Sequence, residues 1–153
     1  MIGISTLAYS NKDLATALSE IEKSAAHAEI FTEGTHDIIH TKNGGILPSF
    51  SLSYSLHAPT MDINLASPRE KVRKTGVEIM KDSAIFCMNN NIDIMVVHPG
   101  YTANKEMLAP ASKIFEKSLA DLQKIKEETG VRICIENMPN AEVFLFKTPD
   151  EID

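Results

Sequence analysis

A chain of 153 residues with 43% hydrophobic side chains can bury one core, so a single domain over 1–153 is expected. Its net charge of -6, with both signs interspersed, argues against a broad nucleic-acid footprint or an anionic membrane partner, leaving room only for a local basic groove. The apolar runs are too short to span a bilayer and the opening "MIGISTLAYS" lacks a basic signal-like start, so a cytoplasmic protein is expected.

In chain order, "IGISTL" opens as a strand. Asn11 is placed to cap a helix whose Leu14, Leu18, Ile21 and Ala25 share one face. "AEIFTEG", over 28–34, reads as a second strand. The connection "THDIIHTKNGGILPSF" is irregular and broken by a Gly-Gly pair, and its His36 and His40 are expected at the surface. "SLSYSLHAP" supplies the third strand. Ser67 and Glu70 then form a capping-box pattern with Pro68 at the first helical position. The helix they open is predicted to run to about Asn89 with Val72, Ile79, Met80 and Cys87 buried. "IDIMVVHPG" is a nearly continuous apolar strand, the pattern of a strand covered on both faces. A further helix carries Phe115, Leu119, Leu122 and Ile125 inward and stops at Gly130. "VRICIENMP" is the fifth strand, and "KTPDEID" looks like the start of another helix. Cys87 and Cys134 each stand alone in an apolar run, as reduced core thiols do.

The order β-α-β-(α)-β-α-β-α-β predicts parallel strands joined by right-handed crossovers. An open doubly wound sheet and part of a barrel both satisfy it. No G-x-G-x-x-G follows the first strand, where a nucleotide-binding sheet carries its phosphate loop. A barrel places its chemistry at the C-terminal ends of several strands. Here three such ends carry His57 before Ala-Pro, His98 before Pro-Gly, and Glu136 before Asn-Met-Pro. Alternation sets Ser53, Ser55 and His57 on one face of the third strand, and Arg132, Cys134 and Glu136 on one face of the fifth. In a barrel those polar faces point inward. The fourth strand is too uniformly apolar for parity to orient His98.

Two imidazoles and a carboxylate at one rim suit zinc, or manganese and cobalt with more oxygen ligands. The metal would polarise a bound water or a substrate oxygen. A single histidine before proline is better explained by a ring bonded to a loop carbonyl; three equivalent strand ends favour the metal. Glu33 ends the second strand and is a substrate-binding candidate, against a solvated turn residue. Asp62 and Asn64 in "TMDINLAS" are candidates for substrate contact, against ordinary Asx-turn chemistry. Arg132 reads as an interior ion-pair partner rather than a phosphate binder. No G-x-S-x-G is present, and neither cysteine has the setting of a nucleophile.

The run "SLHAPTMDINLASPREKVRKTGVEIMKDSAIFCMNNNIDIMVVHPG", followed by "VRICIENMP", resembles the xylose isomerase-like TIM-barrel superfamily. That superfamily holds sugar and sugar-phosphate isomerases and epimerases together with the endonuclease IV branch of DNA repair. The resemblance implies that Glu136 is a metal ligand. It matches His57 and His98 to histidines that bind zinc in endonuclease IV-like proteins and that more often line the substrate pocket in the isomerase branch. For Asn64 it implies a structural or substrate-proximal role.

A full barrel of this type has eight strands and roughly 250 residues. The expected fold is therefore α/β, an incomplete TIM (β/α)8-type barrel of about five parallel strands with flanking helices. Open edges and an uncovered inner face would favour a homo-oligomer. Three functions remain open. One is a divalent-metal-dependent (zinc or manganese) isomerase or epimerase acting on a small sugar or sugar phosphate. The second is an endonuclease IV-like zinc phosphodiesterase acting on abasic DNA, against which stand the acidic chain and the Thr60-Met61 pair after H-A-P. The third is a non-catalytic oligomeric fragment.

Overall fold

Short strands and longer helices alternate in the computed structural model, which describes residues 2–151. The elements are β1 (Gly3–Ser5), α1 (Leu14–Glu22), β2 (His27–Phe31), β3 (Ser53–His57), α2 (Glu70–Asn89), β4 (Ile94–Val97), α3 (Leu108–Thr129) and β5 (Arg132–Ile135). All strand pairs are parallel, and the sheet order is β1-β2-β3-β4-β5. Each strand lies beside its predecessor. A doubly wound sheet reverses direction at a switch point, so this order is that of a barrel wall. The link between β2 and β3 has no α-helix, only the 3-10 turns Gly34–His36 and Gly44–Ser49.

Parity divides the sheet as the barrel reading requires. Ala28, Ile30, Leu56, Met95 and Val97 are buried in one core cluster with Leu18 and Ile21 of α1, Met80 and Ala84 of α2, and Phe115 and Leu122 of α3. The opposite face carries the row Phe31, His57, Val96 and Cys134, aligned by strand register. Below it lie Glu29 and Ser55, then His27 and Ser53.

Helix ends differ from expectation in instructive ways. Asp13, not Asn11, caps α1: its carboxylate accepts from the Thr16 amide (2.9 Å) and hydroxyl (2.7 Å). A charged acceptor three residues before a hydroxyl satisfies two donors at once. The Thr16 bonds also hold the Asp13 carboxyl below its usual range. Ala25 lies beyond the end of the helix.

The capping box before α2 does not form. The Ser67 hydroxyl accepts from the Arg69 amide at 3.2 Å, and the Glu70 carboxylate is taken by Arg73 at 2.8 and 2.9 Å. Arg73 is only 3% exposed; its guanidinium also donates to Asp121 (2.9 Å) and Ser118 (3.2 Å), and the Ser118 hydroxyl donates to the Leu65 carbonyl at 2.7 Å. The buried face of α2 is therefore Arg73, Gly76, Met80, Ser83, Ala84 and Cys87. Val72 is exposed and Ile79 half-buried. On α3, Phe115, Leu122 and Ile125 are buried as predicted, whereas Leu119 is exposed. Gly130 closes that helix in the left-handed region (φ 73°), its amide donating to the Lys126 carbonyl at 2.8 Å.

Three further expectations are revised. His36 is buried at 2% exposure, with Nε2 3.0 Å from the Lys12 carbonyl oxygen, so it fastens the turn after β2 to the segment before α1. His40 is exposed as expected. Arg132 is exposed at the start of β5, at the end of the sheet away from His98 and Glu136, and forms no ion pair among the described residues. Both cysteines are free thiols; burial pushes the Cys87 thiol up to about 12, while Cys134 lies half-buried on the inner face. Of "KTPDEID", Pro149–Glu151 form a 3-10 turn, and Ile152 and Asp153 lie outside the described residues.

Candidate metal centre

Three adjacent strand ends supply the site. His57 is the last residue of β3, His98 follows β4, and Glu136 follows β5. Glu136 is held to the inner face because its amide donates to the Val97 carbonyl at 3.0 Å, continuing the ladder one residue past the strand. Register places His57 level with Val96 and Cys134, so His98 and Glu136 sit two residues further along on the same face. The sequence parity of β3 and β5 is thus realised, and β4 brings His98 to the same rim.

The side chains converge. Glu136 Oε2 lies 3.0 Å from His57 Nε2 and 2.9 Å from His98 Nε2. One ligand atom from each of the three residues falls within 4.8 Å of the others. The imidazoles meet edge to face, with centroids 4.9 Å apart and planes at 83°, and Phe31 backs His57 at 5.0 Å.

With both imidazoles neutral, this arrangement is one hydrogen-bond donor short. His57 Nδ1 lies 3.0 Å from the Ala58 carbonyl oxygen, which can only accept, so a neutral ring carries its hydrogen on Nδ1. Nε2 then aims a lone pair at a carboxylate oxygen. Two such acceptors at 3.0 Å repel unless a proton or a cation lies between them. Fixing one imidazole nitrogen through a backbone carbonyl is how metal-binding histidines are oriented. His98 is held below its ordinary pKa, first by burial and then by the neighbouring His57, against the opposing pull of Glu136. It therefore also offers a neutral nitrogen. The donor set fits zinc, and fits manganese where further oxygen ligands are supplied.

A cavity of about 460 Å³ opens above these three groups, with apolar walls that include Leu7, Phe31, Ile63, Tyr101, Met138 and Phe144. Much of that wall is one stitched unit. Tyr101 bridges Phe144 in antiparallel fashion, the Thr102 amide donates to Val143 (2.7 Å), and the Met138 amide donates to Phe146 (2.8 Å).

The two candidate substrate residues do not line this cavity; Asn64 and Glu33 border separate hollows and reach it only through the loops they hold. Asn64 donates through Nδ2 to the Tyr101 carbonyl (2.8 Å) and accepts through Oδ1 from the amides of Ala66 (3.0 Å) and Tyr101 (3.3 Å). It ties the loop after β3 to the loop after β4. Gly100 leaves room for that tie: its φ is 122°, and a Cβ there would lie 2.5 Å from Asn64 Oδ1. Glu33 Oε1 accepts from the amides of Thr60 (2.6 Å) and Met61 (2.8 Å) and from the Thr60 hydroxyl (3.1 Å). Asp62 is exposed in the left-handed region (φ 61°). Sequence reasoning missed Gly100 and Tyr101 as part of the wall; the Pro-Gly after His98 was the available signal.

A family model described as xylose isomerase-like TIM barrel matches residues 44–153. An uncharacterized protein of Methanocaldococcus jannaschii is 35% identical over 152 residues, covering 98% of this chain and 61% of the relative. Among solved structures, a D-tagatose 3-epimerase-like protein superposes with a TM-score of 0.84 at 29% identity, covering 98% of this chain and 57% of its own. A D-psicose 3-epimerase crystallised with D-fructose gives 0.79 at 14% identity, covering 97% and 56%. The IolI protein with a bound zinc atom gives 0.74 at 19% identity, covering 94% and 54%. The last two show likeness of fold alone. This chain spans between half and two thirds of the length of each of these proteins.

Proposed function

The chain belongs to the xylose isomerase-like TIM-barrel family, and on that premise we propose that it supplies one wall of a divalent-metal site for isomerising or epimerising a sugar. The observation that carries this reading is the placement of His57 Nε2 and His98 Nε2 at 3.0 and 2.9 Å from one oxygen of Glu136. His57, His98 and Glu136 would hold zinc or manganese. When bound, the ion supplies positive charge to a sugar carbonyl or hydroxyl oxygen, which makes the neighbouring C–H more acidic.

The residues of this chain act by holding and excluding. Ala58 fixes the His57 ring, burial favours the neutral form of His98, and the apolar walls offer the sugar's carbons a surface to pack on. Glu33 and Asn64 shape the substrate's surroundings through the two loops they fasten. Support from relatives is the likeness to a D-tagatose 3-epimerase-like protein and to a zinc-bound fold neighbour.

Calorimetric titration of the metal-free chain with zinc and with manganese tests the site. One ion per chain is expected, and a chain that takes up neither metal refutes the reading. Incubating the loaded chain with D-fructose in heavy water tests the chemistry, since proton exchange beside the carbonyl writes deuterium into carbon. Metal uptake without deuterium incorporation would leave a metal site and remove the epimerase. DNA cleavage is disfavoured because no Lys or Arg lines the cavity among the described residues. A metal-loaded chain should leave an abasic duplex intact, and nicking that vanishes in His98→Ala would reverse the preference.

A further inference from the structure

The imidazole of His57 is aimed by a backbone carbonyl, so whatever fixes that carbonyl also fixes the ring. The Ala58 oxygen lies 3.0 Å from His57 Nδ1. Its direction depends on the backbone angles of Ala58 and on the peptide unit that joins His57 to Ala58. Pro59 disfavours a helical backbone at Ala58, because the proline ring clashes with that conformation of the residue before it. The peptide unit is the freedom that remains.

That unit is gripped from both neighbouring strands. On the β4 side the Ala58 amide donates to the Val96 carbonyl at 2.9 Å. On the β2 side the regular ladder has ended with Phe31. The next amide, that of Thr32, reaches the His57 carbonyl at 3.3 Å, just beyond the ordinary range of about 2.7–3.2 Å. The Thr32 hydroxyl donates to the same oxygen at 2.6 Å. Thr32 is 0% exposed, so solvent does not compete for that hydroxyl. A side chain thus makes the firm bond where the ladder makes a long one. Thr6 does the like one strand earlier: its buried hydroxyl accepts from the Phe31 amide at 3.0 Å, and the Phe31 ring backs His57 at 5.0 Å.

We propose that Thr32 is a positioning residue for the metal centre. Its hydroxyl clamps the His57 carbonyl, the clamped peptide unit directs the Ala58 carbonyl, and that carbonyl turns Nε2 of His57 toward the ion. Thr32 acts through this chain of bonds and not on the ion itself. The proposal rests on reading His57, His98 and Glu136 as a metal site.

The test pairs zinc calorimetry with the visible spectrum of the cobalt(II)-loaded chain, whose band intensities follow coordination geometry. Thr32→Val keeps the shape of the side chain and removes the hydroxyl. Its zinc affinity should fall about 10- to 100-fold, as for other outer partners of metal ligands, and its cobalt bands should change. Thr32→Ser restores the hydroxyl and should stay close to the wild type in both readouts. Ser83→Ala removes a buried hydroxyl that donates to the Ile79 carbonyl within α2, and should alter neither readout. A Thr32→Val chain with wild-type zinc affinity and cobalt spectrum overturns the proposal. So does a Thr32→Ser chain as impaired as Thr32→Val, or a Ser83→Ala chain that loses as much affinity. If Thr32→Val fails to fold, Thr32→Cys decides, because its thiol is a weak donor of similar size. Its zinc affinity should lie below that of Thr32→Ser, and equal affinities overturn the proposal. A wild-type chain that takes up neither ion refutes the metal site and Thr32's part with it. Wild-type uptake that Thr32→Val leaves undisturbed faults Thr32 alone.

Discussion

Glu136 Oε2 sits between two imidazole nitrogens, and a neutral His57 ring directs its hydrogen to the Ala58 carbonyl instead. Removing His57, His98 or the Glu136 charge should therefore cost at least about 100-fold in zinc affinity, because even outer partners of metal ligands are worth 10–100-fold. Calorimetry on His57→Ala, His98→Ala and Glu136→Gln measures it, and undiminished binding in any one variant would exclude that residue as a ligand. His98 adds a pH dependence. Burial first and His57 second keep it neutral in the fold where an unfolded histidine, with a pKa of about 6.5, already takes a proton. The unfolded state then binds more protons, so the metal-free chain loses stability as pH falls below about 6.5, and the loss levels off once the folded His98 also protonates. Urea midpoints compared at about pH 7 and about pH 5 should differ more in the wild type than in His98→Ala. All three members of the cluster were legible, because strand parity and a following turn or proline are local signals. The burial of His36 was not, since its partner is a backbone carbonyl 24 residues away in sequence.

At the scale of elements, two glycines separate conformational strain from lack of space. Gly130 has a positive φ of 73° but nothing within 4 Å of a new Cβ, so Gly130→Ala should cost only about 1 kcal/mol of left-handed strain. Gly100 combines φ 122° with contacts at 2.5 Å to Asn64 Oδ1 and 3.0 Å to the Ala66 amide. Gly100→Ala should cost about 3 kcal/mol or more, and should weaken zinc binding by moving the loop that begins at His98. Equal denaturation midpoints for the two variants would refute this account of the Asn64 tie. Arg73 makes a second elemental claim, because it joins α2 to α3 through Asp121 and Ser118 from an almost fully buried position. Arg73→Ala should destabilise by about 3 kcal/mol, at the low end for a buried pair because Glu70 remains in water. The existence and order of these helices were legible from apolar spacing. Their buried faces were less so: a long-range ion pair drew Arg73 inward and rotated the stripe away from Val72, and hydropathy does not report such pairs.

At the scale of the whole chain, the described residues form one five-stranded parallel wall. The β-α alternation predicted parallel strands but not their order; it is the unbroken sequence β1-β2-β3-β4-β5 that makes the sheet a barrel segment. Its outer face is buried under the helices, whereas on the inner face Ile94 and Val96 of β4 remain half-exposed. Among the described residues β1 and β5 each pair on one side only, which leaves a row of backbone donors and acceptors on either edge. The two edges are not equivalent. β5 opens with the exposed Arg132, and a charge on an edge resists pairing with a second copy. β1 is Gly3-Ile4-Ser5, without a charge, and Ile2 beside it is 81% exposed. Association across a two-fold axis would put β1 against β1 and cover both Ile2 side chains at once. The purified chain should therefore sediment as a dimer at micromolar concentration, with slowed hydrogen exchange at Gly3, Ile4 and Ser5. Ile2→Lys should return it to a monomer without shifting its unfolding midpoint at high dilution, because Ile2 makes no core contact in the single chain. A wild-type chain that stays monomeric, or a dimer indifferent to Ile2→Lys, would show that this edge is not where copies meet.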